Sequence, residues 1–312
     1  MKTNQAFAKW GLFVLLSFIW GSSFLLMLIG LEKLNPWQVA AIRLFAAGII
    51  MIPFARMAMR KIPKELSRYV ILSGFLGSFF PAFLFCLAET KLDSSFAGTL
   101  NSLTPIFVLL TGTLFFQLKV NVQQVTGILI SFTGSILLFM AKGGKTGDLL
   151  YIGFVVLATC FYGLNVNMVS RKLRSVTSFD IGVLAFSFLS IPSLVILLAF
   201  GTHKLDYGNA AILRSVGASA LLGVMGTTMA SMLFYILLKR AGGVFASTVT
   251  YGIPFIAIFW GWVYQEKVTW AVVISLLVIL AGIFIANLKD KPISGLMGLF
   301  RKDNKSDRVT LT

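Results

Sequence analysis

The chain has 312 residues, of which 57% are hydrophobic and only 12% are charged, and its mean hydropathy is +0.89. These values exclude a water-soluble globular protein and indicate an integral membrane protein. The 27 Lys and Arg residues exceed the 11 Asp and Glu residues, but in a multi-pass protein basic residues ordinarily mark cytoplasmic loops, so we predict no nucleic-acid partner.

Ten predominantly apolar runs follow one another along the chain, each close to the length of about 20 residues that a transmembrane helix needs. They lie at residues 10–31, 36–55, 69–88, 94–116, 123–141, 149–169, 179–201, 215–238, 244–265 and 270–288. The weakest boundary is the polar stretch 117–122. The first run follows Lys2 and Lys9, as in a signal peptide, but its length and the lack of a small-residue cleavage site favour a retained helix. We therefore predict an all-α polytopic membrane protein with ten transmembrane helices.

The distribution of basic residues predicts how these helices are oriented. With ten spans both termini lie on one side, and that side holds 19 of the 27 Lys and Arg residues, against 7 on the other side and Arg43 within a span. The positive-inside rule then places both termini in the cytoplasm. Residues 289–312 form a basic cytoplasmic tail.

The second half of the chain resembles the first, which indicates an internal repeat. Residues 74–117 align without gaps to residues 223–266 at a shift of 149, with nine identities. The flanks support this register, since Trp20-Gly21 aligns with Tyr162-Gly163 at a shift of 142. Five spans per copy is an odd number, so the two copies are predicted to insert in opposite directions, a plan found in many secondary transporters.

The order and spacing of several motifs resemble the EamA family of the drug/metabolite transporter superfamily. They are Trp20-Gly21-Ser22-Ser23, Pro36 with Arg43, Ser95-Phe96-Ala97 with Leu103-Thr104-Pro105, and Phe245-Ala246-Ser247 with Ile253-Pro254 and Glu266-Lys267. The resemblance implies two five-helix EamA repeats, at residues 10–141 and 149–288, in a multi-pass protein of the plasma (inner) membrane. The sequence departs from the family pattern at Gln117, where an acid is usual, and at Ala185, which has no charge to match Arg43.

Two prolines predict breaks in the middle of the fourth and ninth helices. Each of Pro105 and Pro254 removes a helical hydrogen bond and frees the carbonyl four residues earlier, which belongs to Asn101 or Thr250. These are repeat-equivalent positions near the bilayer midplane, where transporter sites are commonly found. We predict that Asn101 and Thr250 bind substrate; the alternative is that they only cap their own kinks.

Polar and aromatic residues in the first and sixth helices indicate the same region. Trp20 and Ser23 occupy a stretch equivalent to that of Tyr162 and Asn165. Asn165 and Asn167 are two residues apart and so face different ways on a helix, whereas Tyr162 and Asn165 share a face. We predict Trp20, Ser23, Tyr162 and Asn165 as substrate-binding residues; packing between helices is the alternative role for each.

Three charged residues are candidates for substrate charge recognition or ion coupling. Arg43 is the basic residue within a span, and it either snorkels to the outer surface or faces the cavity as a counter-charge. Glu89 and Glu266 lie at predicted outer helix ends, where an acid usually is solvated or paired. A coupled proton would bind there, because no carboxylate is predicted at the midplane.

These features predict a secondary transporter, in the exporting direction, for a small polar or amphipathic metabolite. The predicted lining suits an amino acid or a related compound, a substrate class that the family resemblance also implies, and transport would proceed by alternating access to a cavity between the repeats. The alternatives are a channel or facilitator pore and, least favoured, an intramembrane enzyme. The single histidine and the absence of a carboxylate pair predict no catalytic residues, no metal site and no cofactor. The predicted partners are the small-molecule substrate, the lipid bilayer and an optional coupling ion or proton, while the oligomeric state stays open.

Overall fold

The computed structural model describes residues 2–92, 94–141, 148–263 and 269–288, and these residues form helices without any strand. In chain order the helices α1 to α15 span Lys2–Leu31, Pro36–Ile49, Ile52–Lys61, Lys64–Gly74, Phe80–Ala88, Ser94–Asn101, Thr104–Phe116, Val122–Ala141, Leu149–Lys172, Ser178–Ala199, Ala210–Leu221, Ala230–Ala241, Gly243–Ser247, Ile253–Val263 and Trp270–Ala286. Two π-helical segments, Phe75–Phe79 and Leu222–Met229, join α4 to α5 and α11 to α12. Two 3₁₀ segments lie at Thr202–Lys204 and Thr248–Gly252.

Within the described residues, seven helices are long and apolar enough to cross a membrane, and the bent pair α2 and α3 makes an eighth candidate. Two further apolar helical stretches are shorter than a usual span. They are Gly243–Ile256, which comprises α13, the second 3₁₀ segment and the first turn of α14, and Trp270–Ala286, which is α15. Helices of spanning length therefore account for seven of the ten predicted runs, or eight when the bent pair is taken as one span. The outward surface is apolar, with Leu114 at 66%, Phe115 at 70% and Phe284 at 67% exposure, as expected where side chains face lipid.

The predicted second helix differs from the observed one. The observed helix bends by 65° between α2 and α3. Pro53 lies next to the bend, and its missing N–H ends the regular hydrogen-bond ladder of α2. Asn35 and Gln38 form a capping box that begins α2. Residues 56–68, which lie between the second and third predicted runs, are mostly helical, since α3 continues to Lys61 and α4 begins at Lys64.

The weakest predicted boundary, between the fourth and fifth helices, is a true break. Gln117 ends α7 in the left-handed region, with φ of 50°. Asn121 then accepts a hydrogen bond from the backbone N–H of Gln124 at 2.8 Å, while the Gln124 side chain accepts one from the Asn121 N–H at 3.2 Å. This capping pair begins α8.

Helices of the two repeats pack against each other in matched pairs. The most extensive helix contacts join α2 with α10, α8 with α15 and α7 with α9, and α1 packs in turn on α14 and on the second π-helical segment. Each of these contacts has an equivalent when the helices of one repeat are replaced by those of the other; the contact of α7 with α9, for example, corresponds to that of α14 with α1. The repeats are therefore intertwined around a pseudo-twofold axis.

Equivalent helices of the two repeats run in opposite directions. Gly127 on α8 lies against Gly282 and Ala286 on α15, whereas Gly134, further along α8, meets Ser275. The two helices are therefore antiparallel. Since α8 and α15 occupy the same place in each repeat, this direction agrees with inverted repeats. A Cβ on Gly127 would lie 2.3 Å from the Ala286 backbone nitrogen, so only glycine permits this crossing.

Candidate functional site

A cavity of about 880 Å³, counting the space at its open mouth, lies between the two repeats. Helices from both repeats line it, and most of the lining consists of repeat-equivalent pairs. The pairs are Trp20 and Tyr162, Ser23 and Asn165, Phe24 and Val166, Gly77 and Gly226, Ser78 and Thr227, Phe85 and Phe234, Asn101 and Thr250, and Thr104 and Ile253. All six predicted substrate-binding residues are among them.

The proline breaks place Asn101 and Thr250 at the cavity. Helix α6 ends at Asn101 and α7 begins at Thr104, with Pro105 in its first turn. In the other repeat a 3₁₀ segment contains Thr250 and precedes α14. Both side chains also bond within their own break, since Thr104 donates to the Asn101 side-chain oxygen at 3.3 Å and Thr250 donates to the Ser247 carbonyl at 3.0 Å. Each residue thus lines the cavity and caps its own kink.

Trp20 forms one wall of the cavity and is fixed by the opposite repeat. Its indole Nε1 donates to the Gly226 carbonyl at 3.1 Å, and its ring lies 5.3 Å from the Phe234 ring. Ser23, one turn further along α1, donates to the Ile19 carbonyl at 2.8 Å. Its hydroxyl retains acceptor capacity toward the cavity.

The two asparagines of α9 have different surroundings. Asn165 is 4% exposed and lines the cavity, and its side-chain oxygen has no hydrogen-bond partner among the described residues. Asn167 lies away from the cavity, where its amide donates to the Val108 carbonyl at 2.8 Å and to Thr111 at 3.0 Å. Asn167 therefore joins α9 to α7, while Asn165 is left with an unused acceptor beside Tyr162.

The two π-helical segments border the cavity at equivalent positions. Each exposes a glycine against a polar residue of the other repeat: a Cβ on Gly77 would lie 2.2 Å from the Asn165 side-chain nitrogen, and one on Gly226 would lie 2.6 Å from the Ser23 hydroxyl. π-Helical turns inside α-helices are frequent at functional sites. Here the π-helical turns allow the α4–α5 helix and the α11–α12 helix to approach the polar lining closely.

Arg43 is half-buried, and its side chain faces the cavity. Its Nε donates to the Thr227 hydroxyl at 2.6 Å, and its side chain forms part of the lining. No ion pair to Arg43 occurs among the described residues, so its charge is compensated there only by this hydrogen bond and by longer-range contacts.

Glu89 is a buried acid outside the cavity lining, directly after α5. It is 7% exposed; Ser94 donates to one carboxyl oxygen at 3.0 Å, and the other oxygen is unpartnered within the described chain. Burial raises the pKa of Glu89 to about 8, although the Ser94 hydrogen bond and the charge of Arg43 act in the opposite direction. Glu266, the second predicted acid, lies outside the described residues.

Six polar lining residues were not predicted from the sequence. They are Ser78, Thr104, Thr227, Ser231, Tyr235 and Ser247. The repeat alignment contained a signal for two of them, because Ser78 and Thr227 are equivalent at the shift of 149. Within the described ranges no group of three His, Cys, Asp or Glu residues is arranged to hold a metal ion.

Comparisons with known proteins agree with this architecture. The profile of the EamA-like transporter family matches residues 9–140 and 149–288. The chain is 23% identical over 296 residues to the uncharacterized transporter YdfC of Bacillus subtilis (strain 168), covering 94% of this chain and 91% of that protein. It is 25% identical over 285 residues to a protein of Escherichia coli (strain K12) named "Probable amino-acid metabolite efflux pump", covering 90% of this chain and 87% of the relative.

A solved crystal structure shares the fold, with a TM-score of 0.66 at 18% identity over 91% of this chain and 96% of that chain. The family and the names of the relatives indicate a transporter and not an enzyme. Since the family profile matches both halves of the chain, this multi-pass membrane protein belongs to the EamA-like transporter family.

Proposed function

We propose that the protein is a secondary transporter that exports a small polar or amphipathic metabolite, with amino acids and related compounds as the favoured class. The observation that carries this proposal is the cavity between the repeats, lined mostly by repeat-equivalent pairs. Trp20, Ser23, Asn101, Tyr162, Asn165 and Thr250 are the proposed substrate-binding residues. The relative named as an amino-acid metabolite efflux pump supports both the substrate class and the direction.

The proposed topology has ten spans in the plasma membrane, with both termini in the cytoplasm. The two shorter apolar helices, Gly243–Ile256 and Trp270–Ala286, would cross together with the chain that flanks them. The basic residues of α3 and the tail support a cytoplasmic location for the termini. A relative named as an inner membrane transporter, YedA of Escherichia coli (strain K12), supports the choice of membrane; it is 26% identical over 140 residues, 44% of this chain and 45% of that protein.

The inverted repeats support alternating access as the transport mechanism. Two units that are similar in structure and opposite in direction can exchange conformations, and the exchange moves the opening of the cavity from one side to the other. The proline breaks at Asn101 and Thr250 and the two π-helical segments are the irregular elements nearest the cavity, so we assign the conformational change to them. Glu89 and Glu266 stay the candidates for a coupled proton.

Counterflow in proteoliposomes tests the proposal. Vesicles are loaded with each unlabelled amino acid in turn, and uptake of the same labelled amino acid is followed. We expect saturable, trans-stimulated uptake for at least one amino acid. Asn101→Ala should lower its apparent affinity by about tenfold, the effect of losing one or two polar contacts.

Tyr162→Phe should weaken the binding of the same amino acid. Tyr151→Phe is the matched control, because Tyr151 lies on the same helix and outside the cavity lining, and this variant should behave as wild type. Absence of trans-stimulation for every amino acid would contradict the proposed substrate class. Unitary currents across a bilayer would instead support the channel alternative.

A further inference from the structure

The scaffold around Arg43 is symmetric between the repeats, but its charge is not. Helix α2 crosses the start of the second π-helical segment so closely that a Cβ on Gly223 would lie 2.1 Å from the Arg43 carbonyl oxygen. In the other repeat Gly74 meets Ala185, with a corresponding distance of 3.1 Å to the Ala185 Cβ. Arg43 and Ala185 therefore occupy equivalent crossings, and only one of them brings a charge to the cavity.

Thr227 holds the guanidinium of Arg43 at the cavity wall. The Arg43 Nε donates to its hydroxyl at 2.6 Å, and the Thr227 hydroxyl itself lies 3.4 Å from the Leu222 carbonyl. An arginine has five N–H donors, so four remain on the two terminal nitrogens, for which the described residues provide no hydrogen bond or ion pair. The free edge of the guanidinium has the fork geometry that matches a carboxylate.

The rest of the lining offers no competing charge. Among the described lining residues there is no acidic side chain, and the other polar groups are hydroxyl, indole, phenol and amide groups. Glu89 is not part of the lining, and no ion pair between Glu89 and Arg43 occurs among the described residues. An ionised arginine within a membrane span is costly without a partner, so the site is most complete when an anion occupies it.

We propose that Arg43 and Thr227 form a carboxylate subsite on one side of the cavity, so that the transported solute carries a carboxylate and binds in one orientation. The aromatic walls at Trp20 and Tyr162 then take the remainder of the solute. This inference rests on the proposed transport function and narrows its substrate class. One arginine suits a singly charged carboxylate better than a dianionic phosphate ester, which usually has several cationic partners.

Ligand-induced thermal stabilisation of the purified full chain tests the subsite, because a ligand that binds the folded state raises its apparent stability. The probes are the twenty proteinogenic L-amino acids, the carboxamide and the decarboxylated amine of each, and glycerol phosphate as a phosphate ester. We expect at least one amino acid to stabilise the wild type. Its carboxamide and its amine should bind more weakly by roughly 30-fold at least, the effect expected for the loss of a buried charge pair.

Arg43→Gln should remove this preference, so that the acid and its carboxamide bind with equal affinity. Arg214→Gln removes the same charge from an exposed arginine that is 3.9 Å from Glu32, and should leave the preference intact. Where Arg43→Gln fails to fold, Thr227→Val keeps the side-chain shape and removes the hydroxyl that holds the guanidinium. It should reduce the preference for the acid by roughly threefold or more.

Equal binding of acid, carboxamide and amine by the wild type would overturn the carboxylate subsite, as would an unchanged preference in Arg43→Gln or, where that variant does not fold, in Thr227→Val. Preferential binding of glycerol phosphate would also overturn it. Counterflow separates this failure from a failure of the proposed function. Saturable counterflow of an amine or carboxamide leaves the carrier intact and removes only the subsite, whereas absence of counterflow for every probe removes both.

Discussion

At the residue scale, the two asparagines of α9 show how neighbouring identical side chains acquire different roles. Asn165 lines the cavity, and its oxygen has no partner among the described residues, whereas the amide of Asn167 donates hydrogen bonds to α7. Residues two apart on a helix point about 200° apart, so one sequence motif supplies both a cavity-lining group and a link between helices. Their spacing predicts the difference in direction, and the aromatic Tyr162 on the same face indicates which of them is at the cavity.

These two asparagines also make a matched pair of variants. Asn165→Ala should lower the apparent affinity for substrate by about tenfold and lower the melting temperature less than Asn167→Ala does, because among the described residues its oxygen has no partner and only its side-chain hydrogen bond with Tyr235 is lost. Asn167→Ala should lower the melting temperature and leave affinity unchanged, because it loses bonds to Val108 and Thr111. Counterflow and thermal unfolding of both variants check this, and the reverse pattern would contradict the assignment.

Glu89 predicts a pH dependence of stability. Its pKa in the folded protein is raised from 4.5 to about 8 by burial, so folding favours the protonated carboxyl. Its contribution to stability is then complete below the ordinary pKa and is lost as the pH rises through about 8. Glu89→Gln mimics the protonated form and should flatten the fall in melting temperature between about pH 5 and pH 9. Parallel pH profiles of wild type and variant would contradict this.

The same variant tests the proposed coupling role of Glu89. If this carboxyl carries the coupled proton, an imposed pH gradient should drive uphill transport by the wild type and fail to drive it in Glu89→Gln, while counterflow persists. Equal gradient-driven transport by both proteins would assign the coupling elsewhere. The exposed Glu32, paired with Arg214 at 3.9 Å, provides a control in Glu32→Gln, which should keep gradient-driven transport.

At the element scale, the irregular parts of the helices concentrate at the cavity. One glycine in each of the two π-helical segments allows a close approach there, and the two approaches differ. Gly77→Ala would push against the Asn165 amide, a side chain that can move, and should weaken substrate binding with little loss of stability. Gly223→Ala would meet the Arg43 backbone and should destabilise the fold by about 1 to 3 kcal/mol.

Gly217→Ala, at an exposed position of α11 with nothing within 4 Å, is the control for both glycine variants. It should be neutral or slightly stabilising, because alanine is the better helix former. Thermal unfolding and ligand titration separate the three variants. Equal stability of Gly223→Ala and Gly217→Ala would contradict the close crossing of α2 over the π-helical segment.

The elements differ in how well the sequence predicts them. The breaks at Pro105, Pro254 and Gln117 follow from local chemistry, a missing N–H or a polar cap, and agree with the structure. The sequence does not predict the π-helical segments from local chemistry. Only the first segment precedes a proline, Pro81, and the repeat-equivalent residue after the second segment is Ala230, which gives no such signal. Their geometry depends on contacts across the repeats. The repeat alignment pairs Thr227 with Ser78, but the sequence does not predict its hydrogen bond with Arg43, which comes from a distant part of the chain.

At the scale of the whole molecule, the inverted repeat explains both the paired lining and the single charge. Antiparallel crossings such as α8 with α15 keep equivalent helices in opposite directions, and the cavity receives one member of each pair from each repeat. The pseudo-symmetry supports two openings of similar structure. Ala185 stands at the position equivalent to Arg43, so the proposed carboxylate subsite lies on one side of the cavity and we expect a solute to keep one orientation in either state.

Alternating exposure of this cavity is the central claim, and two-sided accessibility of Thr250 tests it most directly. Thr250→Cys is made with Cys86 and Cys160 replaced by alanine, and membrane-impermeant thiol reagents are applied from each side of oriented vesicles. The account predicts modification from both sides, with bound substrate protecting the thiol and a substrate gradient shifting its reactivity between the sides. Modification from one side only, whatever the substrate or gradient, would contradict it.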